Sequence, residues 1–233
     1  MNKRTRSESI FLKYCEQHGL VAEPIDCRIG RGKSPDFFVK TTHGDVIVEV
    51  KELNANSEDK RYGKESVSSG SECVGRRPRN MILHAIDQLE AHADNNLPCV
   101  IVLYDNIVVN GERPHPPNSF LSPEHIDVAM YSWIWMIHEC NDGNWELKDE
   151  KVNHNLNDRF GVGVSAVSVL SDHAPLLGPR MVTYHNYFTR LPLSIRVFAG
   201  PLDVNLVKPD HPERYPDVWK DAASYAGTLT RNH

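Results

Sequence analysis

Between Ser34 and Lys51 the chain reads SPDFFVKTTHGDVIVEVK, and this stretch constrains the fold more than any other. Two runs rich in β-branched and aromatic residues, 36–40 and 45–51, flank a polar turn that contains Gly44, a residue able to take positive φ. The pattern predicts a β-hairpin. Side chains alternate along a strand, so Ile47, Glu49 and Lys51 share one face while Val46, Val48 and Val50 share the other. A two-residue turn at His43-Gly44 would set Thr42 opposite Asp45, Phe38 opposite Glu49 and Asp36 opposite Lys51. Asp36 and Glu49 would then be diagonal neighbours on one face, roughly 7–8 Å apart at the backbone.

The rest of the hairpin is apolar on both faces, as a central strand is. Two carboxylates and an ammonium in such surroundings are costly to bury unless they bind something. Pro35-Asp36 followed by Glu49-Val50-Lys51 resembles the signature of the PD-(D/E)XK, or restriction-endonuclease-like, nuclease superfamily. The resemblance implies that Asp36 and Glu49 hold a divalent metal, Mg²⁺ or Mn²⁺, with the Val50 carbonyl as a third ligand. It also implies that Lys51 orients or activates the attacking water in phosphodiester hydrolysis. Oxygen-only ligands suit these hard cations.

The flanking elements follow the order this family would need. Residues 5–18 predict a helix with Ile10, Phe11, Leu12, Tyr14 and Cys15 on its apolar side and Gly19 as a stop. The resemblance makes Glu8, on this first helix, a candidate to reach the metal. Thr5-x-x-Glu8 is equally a capping box, and both readings stay open. Residues 21–29 predict a short edge strand with Pro24 near its start. Residues 79–93 predict a second helix, with Ile82, Ile86, Leu89 and Ala93 on one face. Gln88 lies beside that face, and the resemblance makes it a further candidate near the chemistry. Residues 98–104, PCVIVLY, predict a buried strand parallel to its neighbour after a helical crossover. The resulting αβββαβ order is that of the superfamily core.

Basic residues cluster around the motif. Lys33, in the loop before Asp36, and Arg76, Arg77 and Arg79, which end the long polar stretch 54–79, are candidate phosphate contacts. That stretch has no periodicity, and a loop of such length in a compact domain is commonly functional or disordered; a basic flap over the site and an ordinary surface insertion are both compatible with it. Net charge is −5 over 233 residues, but residues 1–80 carry +3 and residues 81–233 carry −8. The half that holds the motif is therefore the basic one, which permits nucleic-acid binding.

The second half carries no comparable motif. Ser122-Pro123-Glu124 predicts a helix start, and the helix is expected to run to about Glu139, carrying Trp133, Trp135 and Met136. Residues 161–170, 180–186 and 193–207 predict further strands. None of the 12 histidines forms an HxH or HExxH pattern. Five scattered cysteines without a CxxC pair suggest reduced thiols in a cytoplasm. No apolar run approaches the roughly 20 residues of a membrane span, and the first residues lack an apolar signal core.

The expected fold is α/β, a central mixed β-sheet flanked by helices. Residues 1–105 would form the nuclease core. Residues 106–233 would form a C-terminal α+β extension that extends or packs on the core sheet. The expected function is metal-dependent cleavage of phosphodiester bonds in DNA. The alternative is a nuclease-like module that binds nucleic acid or a protein partner without cutting. A homodimer is compatible with either.

Overall fold

Helix α1 (Arg6–Gln17) begins where the sequence places its cap: the Thr5 side chain accepts from the Glu8 amide, and the Glu8 carboxylate accepts from the Thr5 amide. It is followed by strands β1 (Val21–Pro24), β2 (Phe37–Lys40) and β3 (Val46–Leu53), then by helix α2 (Arg76–Glu90) and strand β4 (Cys99–Asp105). Helix α3 (Pro123–Tyr131), strands β5 (Trp133–Glu139), β6 (Trp145–Lys151), β7 (Val164–Ser171), β8 (Arg180–His185), β9 (Val204–Val207) and β10 (Lys220–Asp221), and a last turn of helix, α4 (Ala222–Tyr225), complete the order. The computed structural model describes residues 4–25, 34–55, 75–90, 96–108, 120–131, 133–139, 145–151, 156–172, 177–212 and 219–225. Lys33, Ala93, residues 26–29 of the first predicted strand and residues 56–74 of the long polar stretch lie outside them.

Eight strands form one mixed sheet in the order β1-β2-β3-β4-β7-β8-β9-β10. Strands β3, β4 and β7 run parallel at its centre, and β1-β2-β3 and β7-β8 are antiparallel. The second half thus extends the sheet begun by the first. Every residue of β4 is buried, which is why its sequence is a continuous apolar run and not an alternating one.

The alternation in β3 sorts the two layers. Val46, Val48 and Val50 pack with Phe11, Tyr14 and Cys15 of α1. Ile47 and Leu53 pack on the opposite face with Ile82, Ala85, Ile86 and Leu89 of α2 and with Ile126, Ala129 and Met130 of α3. Helix α2 starts three residues earlier than the periodicity predicts. Pro78 falls within its first turn, where a missing amide hydrogen costs nothing. Gly75 precedes it at φ +75°, and a Cβ there would lie 2.9 Å from the carbonyl oxygen of His125, so the glycine lets α2 start against α3.

Three expectations need correction. The hairpin turn has four residues, not two. Phe37 pairs with Val48, Phe38 with Ile47 and Val39 with Val46. The connection 41–44 is closed by Thr41 Oγ1 donating to the Gly44 carbonyl and by Asp45 Oδ1 accepting from the Thr41 amide, with Gly44 at φ +116°. This shifts the register by two residues, an even step that leaves every side chain on its predicted face.

Second, the helix from Ser122 stops at Tyr131, and Trp133–Glu139 is strand β5, paired antiparallel with β6 in a separate two-stranded sheet. A run of aromatic and β-branched residues suits a pleated surface at least as well as a helix, and its pairing partner lies several residues downstream. His138, expected on a helix, is therefore on a strand. Third, only Val204–Val207 of the predicted strand 193–207 is extended. Pro192, Gly200 and Pro201 interrupt the ladder, and Leu193, Val197 and Phe198 are buried from irregular backbone instead.

Candidate active site

The register places Glu49 one step beyond the Phe37–Val48 pair, opposite Asp36, where β2 begins to leave β3. The two carboxylates are direct neighbours and not diagonal ones. Asp36 Oδ2 accepts from the Val50 amide at 2.8 Å, taking the place that a strand partner would otherwise fill. The amide and carbonyl of one strand residue point to the same side, so the Val50 carbonyl also faces the gap left by β2.

Glu49 is 1 % exposed. Its Oε1 receives the Lys51 ammonium, and its Oε2 is buried without a hydrogen-bond partner. A buried oxygen left unpaired in this way is expensive. Burial first, and then the charge of Asp36, push the Glu49 carboxyl up to about 7, against the pull of Lys51. Burial likewise raises Asp36, with Glu8 adding to the rise, while the Val50 amide and Lys51 oppose it.

Lys51 has a second partner. Its ammonium donates to Gln88 Oε1 from α2, and Gln88 Nε2 lies 3.5 Å from the Ser34 carbonyl, two residues before Asp36. The structure thus brings Asp36, Glu49, Lys51 and Gln88 together. Glu8 forms its capping box, and its charge reaches Asp36.

The arginines stand apart. Arg77 donates to the Asn54 carbonyl at 2.8 Å and its guanidinium lies 4.6 Å from the centre of the Phe120 ring. Arg76, Arg77 and Arg79 occupy the first turn of α2. Eleven residues separate Arg77 from Gln88, or ~16 Å along the helix axis.

Two supporting groups escape a sequence reading. The Ser34 carbonyl matters only because Gln88 reaches it. Glu52 follows the motif on the opposite face, where its Oε2 accepts from the Ser7 amide at 2.8 Å and its Oε1 accepts from Asn106 Nδ2 at 3.2 Å. It ties the first turn of α1 to the end of β3. The only local signal was a charged residue on an otherwise valine-lined face.

Among the described residues, no three or more His, Cys, Asp and Glu side chains gather closely enough to hold a metal ion. Magnesium does not need such a cage, since it is often held by one or two carboxylates and keeps several waters. The buried Glu49 Oε2, without a hydrogen-bond partner and beside a second carboxylate, fits a small hard cation. No family model, no curated protein and no solved structure matches the chain. Among the described residues, no helix is long and apolar enough to cross a membrane.

Proposed function

We propose that this chain is a divalent-metal-dependent nuclease acting on phosphodiester bonds, with DNA as the substrate and Asp36, Glu49 and Lys51 at the centre of the site. One observation carries the reading: two neighbouring carboxylates meet where β2 leaves the central strand β3, one of them, Glu49, with a buried oxygen that has no hydrogen-bond partner, and the Lys51 ammonium is bonded to that same Glu49.

Asp36, Glu49 and the Val50 carbonyl would hold Mg²⁺ or Mn²⁺. The bound ion would supply an acidified water and neutralise charge on the phosphate. Lys51, 22 % exposed at its side chain, would hold a water or a phosphate oxygen at its ammonium. Asp36 is fixed at the site through Oδ2, which accepts from the Val50 amide. Arg76, exposed at the start of α2, and Arg77 and Arg79 beside it would meet phosphates further along the same substrate.

The test is direct. Supercoiled plasmid, linear duplex, single-stranded DNA and RNA are each incubated with the protein, with and without Mg²⁺, beside Asp36→Asn. Metal-dependent cleavage that vanishes in Asp36→Asn, with the circular dichroism spectrum unchanged, is the expected result. Cleavage that persists in Asp36→Asn would show that the site lies elsewhere.

A further inference from the structure

The bonding of Gln88 has a chemical asymmetry. A primary amide accepts at one end and donates at the other. Here the accepting end takes the Lys51 ammonium from β3, and the donating end faces the Ser34 carbonyl at the entrance to β2. One side chain from α2 therefore braces both arms that carry the carboxylates. The Lys51 ammonium is shared between Gln88 Oε1 and Glu49 Oε1. Glu49 is thus the one group that both the lysine and an incoming cation would want.

We propose that Gln88 is a positioning residue that receives Lys51 when a divalent cation takes Glu49, so that the lysine and the ion occupy the site together. The proposal rests on the metal-dependent reading of the same site. Without Gln88, the ammonium has Glu49 as its remaining partner among these groups and competes with the ion for it. With Gln88, the ammonium keeps an acceptor after Glu49 turns to the ion, and the Ser34 contact keeps that acceptor from swinging away. Gln88 itself touches neither ion nor substrate. A carboxylate at this position would accept from Lys51 but would meet the Ser34 carbonyl acceptor to acceptor, so the amide, and not merely an oxygen, suits the place.

Mn²⁺ binding to the full chain, measured by titration calorimetry, tests this without any turnover. Gln88→Met keeps the length of the side chain and removes both hydrogen bonds. It should weaken Mn²⁺ binding about tenfold, the scale set by a hydrogen bond to a charged group. In a Lys51→Met background the same substitution should have no effect, because there is no ammonium left to place. Gln88→Glu should fail to restore wild-type affinity.

An equal loss in both backgrounds would mean that Gln88 only supports the fold, and would overturn the proposal. So would wild-type affinity in Gln88→Met while Asp36→Asn binds nothing. If the folded wild-type chain itself takes up no Mn²⁺, the metal reading falls and this proposal with it. Thermal melts of each variant separate misfolding from weak binding. Should Gln88→Met not fold, Gln88→Asn, which shortens the brace by one methylene, takes its place under the same criteria.

Discussion

Replacing Glu49 with glutamine should make the protein more stable above neutral pH while removing its proposed activity. The side chain is almost fully buried, and its carboxyl is raised from an ordinary 4.5 to about 7 by burial and by Asp36. Below pH 4.5 the group carries its proton in both folded and unfolded chains, and stability is unaffected. Between about pH 4.5 and 7 the folded protein keeps a proton that the unfolded chain has released, so stability falls as pH rises. Above 7 the loss is complete. At about 1.4 kcal/mol per tenfold change in proton affinity it amounts to at most about 3 kcal/mol, since Asp36 and Lys51 share part of the effect.

Glutamine has the same shape, still offers Lys51 an oxygen, and does not titrate. Urea unfolding of wild type and Glu49→Gln in EDTA, at pH 5 and at pH 8, is the assay. The two should have similar stability at pH 5, and the variant should be the more stable at pH 8 by on the order of 2–3 kcal/mol. Saturating Mg²⁺ at pH 8, at about a hundred times its dissociation constant, should return close to 3 kcal/mol to the wild type and nothing to the variant. A variant less stable than wild type at pH 8, or a gap independent of pH, would refute the claim that Glu49 is held ionised at a cost.

Lys51→Met should lower the cleavage rate by about 10²–10⁴-fold, the contribution of a positioned acid–base group, while Mn²⁺ affinity by calorimetry stays equal or rises because a competitor for Glu49 is gone. Far from the site, Lys208 has a side chain with no exposure, sits 2.5 Å from Asp127 Oδ1 and lies over the Trp219 ring. Asp127→Ala should cost about 3–5 kcal/mol in urea unfolding, because a buried ammonium loses its carboxylate.

What the amino-acid sequence determined by itself is whatever depends on local periodicity. Asp36, Glu49 and Lys51 share a face because alternation along a strand needs no knowledge of the partner, and a register wrong by two residues leaves that face intact. The amphipathic helix carrying Gln88 and the continuous apolar run of β4 were legible for the same reason. Tertiary structure decided everything that needs a distant partner. It set Asp36 opposite Glu49 instead of diagonal to it, because the turn closes through Thr41 and Asp45 side chains whose bonds no composition rule selects. It gave the Lys51 ammonium to a residue 37 positions away. It turned Trp133–Glu139 into a strand, because an apolar run takes the period of whatever it pairs with, and that partner was β6. Side-chain direction is a short-range property of the backbone. Who meets whom across a buried site is settled only when the layers close and each charge must find a partner or go without.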